Sequence, residues 1–362
     1  MLHKPGKAMN KTRLAGRGIR AIVSLFLLFA WPSQASELEP APALEDLFSA
    51  VSGSVVLVRT WERMVIARDG IALVPITDLG SGVLISKDGD VLTAAHLVQV
   101  ADVVEVEFVD GTTVDATVVT SEPTADLALL QLKRVPEAAV IARMGDSDAV
   151  RVGQRVFVIG APYGLSHTLT VGHVSARHPT GTPGLPFNLA ELFQADVAIH
   201  RGNSGGPMFN MNGEVIGIVS YFLSQSGTFE GVGFAVTSNS IGELLLARRL
   251  PWSGISVFSL DRTLAEIFNL PQEAGLLVQR VAEGSPGARL GLLPSYLPAK
   301  IGKHELMLGG DIILEVEGIP VGTIESYLQL RQRLTEIETG HSVTVKVLRH
   351  GRVIELSTAF EE

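Results

Sequence analysis

The feature that most constrains the fold is a series of short β-branched runs between residues 54 and 236. The runs are separated by Gly, Asp and Pro, which are the residues that turns favour. They are Ser54–Thr60, Gly82–Ser86, Val103–Phe108, Thr113–Thr120, Leu127–Leu132, Arg155–Gly160, Thr168–Ala176, Phe193–Ile199, Glu214–Tyr221 and Gly231–Val236. Many short strands with no helical pattern between them predict an all-β barrel or sandwich.

The pattern changes after residue 237. Apolar residues at helical spacing predict a helix over Ser238–Leu250, and Pro251 then closes the first domain. The remaining residues alternate strand and helix patterns, which predicts a separate domain that is mainly β with an amphipathic helix over Thr323–Glu336. The predicted strands there are Ile255–Leu260, Gly275–Val281, Asp311–Val316, Ser342–Arg349 and Val353–Thr358.

A serine lies in a glycine-rich turn, in the run Gly202-Asn203-Ser204-Gly205-Gly206-Pro207. Glycine leaves room for a substrate backbone, and the turn can direct the N–H groups of Gly202 and Ser204 at a developing negative charge. Strands are predicted after this turn, which excludes the strand-to-helix elbow of α/β-hydrolases. An ordinary turn serine is the alternative.

A nucleophilic serine needs a base and a group that orients the base. His96 follows a predicted strand among small residues, and Asp126 is a lone carboxylate at the start of an apolar strand. Taken alone, either residue is equally well explained, His96 as a strand-end histidine and Asp126 as a turn cap. Together, in the chain order His, Asp, Ser, they favour a catalytic triad of the chymotrypsin type.

The chain resembles the HtrA (Deg) family of serine proteases at these residues. The motifs are TAAH at 93–96, ADLALL at 125–130, GNSGGP at 202–207, GEVIGI at 213–218 and GVGFAV at 231–236. The resemblance implies a chymotrypsin-like double β-barrel protease domain at residues 45–250. It also implies that His96 is the general base, that Asp126 orients it and that Ser204 is the nucleophile, with an oxyanion hole at Gly202, Asn203 and Ser204.

The sequence departs from the family immediately before this glycine. The family usually has Asn-Pro there, and this chain has His200-Arg201. Because proline restricts the backbone, we expect a freer loop, and the resting activity is left open.

In chymotrypsin-like folds the residue six positions before the serine lines the base of the primary specificity pocket, and here that residue is Ala198. Its neighbours Val197 and Ile199 are also apolar. A pocket without a carboxylate predicts cleavage after small or medium aliphatic residues instead of Lys or Arg.

Residues 251–362 resemble a bacterial PDZ domain, through GSPGA at 284–288, GDIIL at 310–314 and Glu317-Gly318. Such a domain binds an extended C-terminal peptide as an added strand and holds its carboxylate in a loop of backbone N–H groups. The resemblance implies that Ser253, Gly254 and Ile255 belong to this loop and that hydrophobic C-termini are the ligands. Residues 292–308 form an insertion where the usual domain makes a tight turn.

The first 35 residues predict a secretory signal, with a basic start, an apolar stretch over Ala21–Trp31 and small residues at Ser33-Gln34-Ala35. An uncleaved membrane anchor is the alternative. Residues 36–44 form a Pro-rich linker. Export predicts a periplasmic protein, with inner-membrane anchoring left open.

The amino-acid composition limits the kinds of ligand and partner that the chain can bind. The net charge is −9, and the chain has no cysteine. An acidic chain lacks the electrostatic footprint of a nucleic-acid-binding protein, and a cysteine-free chain can form no disulfide or thiolate metal site. No metal and no cofactor are expected.

Three classes of function remain open at this stage. The first is a protease of the cell envelope that cleaves unfolded or misfolded proteins and is regulated by PDZ binding of hydrophobic C-termini. The second is a chaperone or adaptor with weak protease activity, and the third is a dedicated signalling protease that cuts one membrane-protein substrate. The family resemblance also implies a homotrimer.

Overall fold

The computed structural model describes residues 43–67, 71–185, 189–222, 231–247, 249–338 and 340–359. The predicted signal (1–35) and most of the predicted linker lie outside these residues. Leu44, the last residue of the predicted linker, is already the first residue of helix α1 (Leu44–Val51). None of the helices within the described residues is long and apolar enough to cross a membrane.

The first six strands close into a barrel. They are β1 (Val55–Ala67), β2 (Ile71–Leu84), β3 (Asp90–Thr93), β4 (Val103–Glu107), β5 (Thr113–Glu122) and β6 (Leu127–Leu132), with helix α2 (Ala95–Val98) after β3. Their order around the barrel is β1-β2-β3-β6-β5-β4, and β4 pairs with β1 to close it. Inward-facing side chains such as Val58, Val106 and Leu130 are fully buried. Burial of this alternating apolar face stabilises the barrel.

The second barrel is built in the same way. Its strands are β7 (Arg143–Met144), β8 (Arg155–Gly160), β9 (Thr168–His178), β10 (Leu192–Ala195), β11 (Pro207–Asn210), β12 (Glu214–Phe222) and β13 (Gly233–Thr237). The ring runs β11-β8-β9-β10-β13-β12, and the β11–β12 pairing closes it with β7 beside β12. One apolar cluster joins both barrels, with Leu92 and Leu129 from the first and Phe157 and Phe209 from the second. The expected double barrel is confirmed.

The C-terminal region is an open sheet with helices. Its helices are α4 (Arg262–Ile267), α5 (Pro286–Arg289) and α6 (Ile324–Thr335), and its strands are β14 (Ile255–Leu260), β15 (Gly275–Val281), β16 (Leu297–Ile301), β17 (His304–Leu308), β18 (Ile312–Val316), β19 (Ile319–Pro320), β20 (Ser342–Arg349) and β21 (Arg352–Ala359). The sheet order is β14-β15-β18-β20-β21, so β14 lies at one end. The insertion at 292–308 contains the hairpin β16–β17, and its Leu306 packs into the core with Leu264 and Leu277.

Two expected elements are shorter than the sequence indicates. The strand expected over Phe193–Ile199 ends at Ala195, where its register with β9 shifts. The helix expected over Ser238–Leu250 is a turn of α-helix, α3 (Ser238–Ile241), followed by a π-helical turn over Gly242–Leu246. The amphipathic helix is found as expected, and a capping box at Thr323 and Ser326 begins it.

Candidate active site

His96 and Asp126 are joined by three hydrogen bonds within the first barrel. His96 lies in α2 directly after β3, and Asp126 lies in the turn before β6 with a positive φ of 55°. The Nδ1 atom of His96 is 2.9 Å from both carboxylate oxygens of Asp126, and its backbone N–H donates to Oδ1 at 3.0 Å. The carboxylate is buried whereas the imidazole is partly exposed. This pairing fixes the ring so that its Nε2 atom is free to face a substrate.

The Asp126 carboxylate controls the protonation of His96. Burial of the ring lowers the pKa of His96, but the hydrogen bond and charge of Asp126 outweigh it, and Asp78 adds a smaller effect in the same direction. The pKa of His96 is therefore raised above its ordinary value of 6.5. A raised pKa makes the imidazole a stronger base.

Ser204 and Ser220 complete the site from the second barrel. The hydroxyl of Ser220, on β12, donates to Oδ2 of Asp126. The hydroxyl of Ser204 donates to the backbone carbonyl of Ser220 at 3.0 Å, so in this conformer it is directed at β12 instead of at His96. A change of one staggered side-chain rotamer redirects it. The structure thus brings the three predicted residues to the junction of the two barrels.

The turn before Ser204 has a defined backbone conformation. Asn203 N–H donates to His200 C=O at 3.0 Å, and Gly202 at the third position of this turn has a φ of +102°. Those features define a type II turn, which needs glycine at that position. The Arg201 carbonyl accepts a hydrogen bond from Tyr163 N–H at 2.9 Å.

This geometry leaves two amides for an oxyanion. Because the C=O and N–H of one trans peptide point in opposite directions, the Gly202 N–H points away from Tyr163. The Asn203 N–H is used in the turn, and its side-chain amide donates to Ala198 C=O at 3.3 Å. Of the three residues predicted for the oxyanion hole, Gly202 and Ser204 keep N–H groups that the hydrogen bonds of this turn do not use, and Asn203 supports the turn.

Arg201, at the position where the family usually has proline, makes two contacts in the turn. Besides the Tyr163 contact to its carbonyl, its guanidinium lies 3.1 Å from Asp78 on β2. The backbone contact is the stronger restraint, because an exposed ion pair contributes little.

Ser81 supports the serine turn, and the sequence did not identify it. Ser81 lies on β2 and is completely buried. Its hydroxyl donates to Gly202 C=O at 2.7 Å, and the hydroxyl oxygen of Ser81 accepts from Ala161 N–H at 3.0 Å. Its backbone N–H donates to Ser204 C=O at 2.8 Å. Ser81 therefore connects the first barrel to both ends of the nucleophile turn. Only its place between two glycines, Gly80 and Gly82, could have signalled a close approach of backbones.

Ala198 lies beside the serine turn in a strongly apolar segment. Val197 and Ile199 are buried in the core of the second barrel, and the Ile199 side chain packs against Gly233, where an added Cβ would be 2.4 Å from it. The Ile199 side chain therefore occupies the space that Gly233 leaves. The apolar surroundings of Ala198 agree with the aliphatic preference that the sequence predicts.

The residues predicted for carboxylate binding lie at the start of β14. Gly254 has a φ of +68°, and an added Cβ there would be 2.1 Å from Ser285. Its carbonyl accepts from Ala282 N–H at 2.8 Å, and that of Ser253 accepts from Gly287 N–H at 2.9 Å. Within the described part of the chain, no group of three or more His, Asp or Glu side chains is arranged to hold a metal ion.

The fold and the arrangement of these side chains are those of the trypsin-like serine peptidases. A family model of the trypsin-like peptidase domain matches residues 80–218, which contain His96, Asp126 and Ser204.

Similarity to individual proteins gives the family. A probable periplasmic serine endoprotease, DegP-like, from Marinomonas sp. (strain MWYL1) is 37% identical over 295 residues, which are 79% of this chain and 57% of that protein. The periplasmic pH-dependent serine endoprotease DegQ of Escherichia coli (strain K12) is 31% identical over 370 residues, 95% of this chain and 76% of that protein. The chain belongs to the HtrA family of periplasmic serine endoproteases.

Solved structures agree with this assignment. The HtrA-type protease AlgW with a tripeptide is 28% identical with a TM-score of 0.51, over 87% of this chain and 96% of that one. A serine-to-alanine variant of AlgW with a decapeptide is 26% identical with a TM-score of 0.54, over 88% and 97%. The C-terminal region is consistent with a single PDZ domain. The chain spans little more than half the length of the first curated relatives, between 54% and 57%.

Proposed function

We propose that this protein is a serine endopeptidase of the cell envelope that uses His96, Asp126 and Ser204 as its catalytic triad. The observation that carries the proposal is the buried Asp126 carboxylate, which contacts the His96 ring at 2.9 Å and is tied through Ser220 to the serine of the second barrel. This arrangement positions a base and a nucleophile together.

The reaction is peptide-bond hydrolysis by acyl transfer. His96 Nε2 accepts the proton of the Ser204 hydroxyl as its oxygen attacks the scissile carbonyl, and His96 then gives that proton to the departing amine. Water hydrolyses the acyl-enzyme through the same base and releases the serine. Asp126 holds the imidazole in the required tautomer and stabilises the imidazolium.

The N–H groups of Gly202 and Ser204 stabilise the tetrahedral oxyanion. Removing one donor of such a pair typically costs 10²- to 10³-fold in kcat, about 3–4 kcal/mol. The hydrogen bond from Tyr163 N–H to Arg201 C=O keeps the Gly202 donor in place, so we propose a competent oxyanion hole despite the absence of proline at 201.

We propose that the enzyme cleaves after small or medium aliphatic residues. The support is the apolar segment around Ala198, together with the Ile199 side chain against Gly233. Mass-spectrometric mapping of cleavage sites on an unfolded protein measures this preference directly. Mostly Lys or Arg before the cut would contradict it.

We divide the chain into a protease domain at residues 45–250 and a PDZ domain at 251–362. The PDZ domain would bind the hydrophobic C-termini of unfolded or misfolded proteins at Ser253, Gly254 and Ile255, since the strand that begins at Ile255 lies at the end of its sheet. AlgW has been solved with a tripeptide and with a decapeptide, which supports a peptide-binding role for a related protein. A homotrimer follows from the family resemblance alone, and light scattering of the purified protein tests it.

Cleavage of an unfolded, disulfide-free protein tests the activity. The purified protein, its Ser204→Ala variant and a Ser49→Ala control are incubated with this substrate, with and without a peptide ending in apolar residues. Ser49 is an exposed helix residue, so the control is expected to cleave as the natural chain does.

Loss of cleavage in Ser204→Ala alone would support the protease, and stimulation by the peptide would support regulation through the PDZ domain. Cleavage that survives in Ser204→Ala would refute the assigned nucleophile. Persistent binding of the unfolded protein without any cleavage would favour the chaperone or adaptor, and cleavage restricted to one membrane protein would favour the signalling protease.

A further inference from the structure

The first residue of β14 directs both of its backbone polar groups away from the sheet. Ile255 is opposite Val281 on β15, and the neighbouring Gly254 C=O accepts from Ala282 N–H. In antiparallel pairing this places Ile255 at a non-hydrogen-bonded position, so its own N–H and C=O point to the outer edge. Because β14 ends the sheet, this edge is where a bound peptide would add a strand.

A side chain of the protease domain is already bonded to this edge. Gln99, which directly follows α2, donates from Nε2 to Ile255 C=O at 2.9 Å and to Ser253 Oγ at 3.2 Å. The Gln99 Oε1 atom accepts from Ser121 Oγ at 2.6 Å, and Gln99 C=O accepts from Trp252 Nε1 at 3.0 Å. The amide is therefore held from both sides, and it makes the bond to Ile255 that the N–H of an added strand would make.

The residue after Ser121 contacts the helix of the C-terminal region. Glu122 is completely buried, and it accepts from Arg331 Nε at 2.7 Å and from the Tyr327 hydroxyl, both on α6. Ile255 and Leu330 pack against the same apolar cluster, so the start of β14 and α6 share one part of the core of the C-terminal region. The neighbours Ser121 and Glu122 thus contact two elements of the C-terminal region, Ser121 reaching β14 through Gln99 and Glu122 reaching α6 directly.

We infer that Gln99 is an internal competitor for the carboxylate-binding end of the PDZ groove. A peptide C-terminus can donate its first backbone N–H to Ile255 C=O only after the Gln99 amide has left. Docking of the protease domain at this edge and peptide binding are then mutually exclusive. The inference rests on the proposed peptide binding by the PDZ domain.

The competition has a direct route to the catalytic residues. Gln99 N–H donates to Ala95 C=O at 2.8 Å and so ends the same short helix that carries His96. Glu122 C=O accepts from Ala125 N–H at 3.1 Å in the turn that presents Asp126. Departure of the Gln99 amide from β14 therefore frees the side chain at the C-terminal end of the helix that carries His96.

Peptide binding measured without proteolysis tests the inference. Fluorescence anisotropy of a labelled peptide ending in apolar residues is recorded with the full chain carrying Ser204→Ala, alone or combined with Gln99→Ala. Loss of the competing bonds is expected to tighten peptide binding about fivefold. The matched control is Gln154→Ala, since Gln154 bonds only within the second barrel in the described structure, and no change is expected there.

Gln99→Met keeps the length of the side chain and removes its donors, so it serves if Gln99→Ala fails to fold. Unchanged affinity in a folded Gln99 variant, or absence of binding in every variant, would overturn the inference. Because binding is read in the Ser204→Ala background, either result leaves the endopeptidase proposal to be judged separately by the cleavage assay.

Discussion

Gly202→Ala is expected to disable the oxyanion hole without disturbing the triad. Gly202 has a φ of +102°, and an added Cβ would be 2.2 Å from the Ala161 carbonyl oxygen and 3.1 Å from Tyr163 N. The left-handed backbone costs alanine about 1–2 kcal/mol, and the overlap with backbone atoms cannot be relieved by a side-chain rotation. Rotating the Arg201–Gly202 peptide brings φ into the range that alanine favours, and the overlap with Ala161 displaces the turn in addition.

That rotation breaks the hydrogen bond from Tyr163 N–H to Arg201 C=O. If the two groups are left unpaired, the folded state loses about 1–3 kcal/mol of stability. It also turns the Gly202 N–H away from the oxyanion. Loss of one such donor lowers kcat by about 10²- to 10³-fold. KM is expected to change little, because the proposed specificity pocket at Ala198 is untouched.

The assay is steady-state cleavage of a fluorogenic peptide with an aliphatic residue before the cut. Gly153→Ala is the matched control, since Gly153 has a φ of +89° and no atom lies within 4 Å of its added Cβ. The Gly153→Ala variant has the cost of the left-handed backbone and no steric overlap, so it should be less stable than the natural chain but should keep the same kcat. A Gly202→Ala enzyme with kcat within threefold of the natural chain would refute the assignment of this donor.

Three further predictions concern the triad, the domain contact and the turn. The natural enzyme should gain activity as pH rises through a midpoint above 6.5, because the raised pKa keeps His96 protonated at pH values below that midpoint. Asp126→Asn should lower the midpoint and reduce kcat by about 10⁴-fold. A pH profile that Asp126→Asn leaves unshifted would argue against the pairing of His96 and Asp126. Arg331→Met leaves the buried Glu122 carboxylate without its cation and should destabilise the protein by about 3–5 kcal/mol in chemical unfolding, with Glu122→Gln in the same chain recovering most of the loss. Arg201→Ala removes only the exposed contact with Asp78, so kcat should fall less than about fivefold, and a much larger loss would show that the ion pair holds the turn.

The sequence predicted the strands well where alternation is bounded by turn residues. Leu127–Leu132 and Arg155–Gly160 have the expected bounds. The segment after Ala195 was expected to continue as a strand because Val197 and Ile199 alternate with less apolar residues. The structure ends β10 there because the Asp196 carboxylate accepts from His173 N–H at 2.5 Å and Asn203 bonds to Ala198 C=O. Side-chain contacts from distant residues override the local pattern.

The sequence predicted the residues of the candidate site that carry the chemistry, and it did not reveal the residues that support them. His96, Asp126 and Ser204 have characteristic neighbours in the sequence, and the structure brings them together. Ser81 and Gln99 act through hydrogen bonds to residues more than 100 positions away, such as Gly202 and Ile255, and the sequence around them does not name these partners. The restraint on Arg201 was missed for the same reason, because Tyr163 supplies it through a backbone N–H.

Covalent labelling of the nucleophile tests the central claim most directly. The protein is treated with a fluorophosphonate probe, which reacts with activated serine hydroxyls, and the modified residue is located by peptide mass spectrometry. We expect a single adduct on Ser204 that disappears in Ser204→Ala and forms far more slowly in His96→Ala. Labelling of a different serine, or equal labelling of the natural chain and the His96 variant, would contradict the assigned triad.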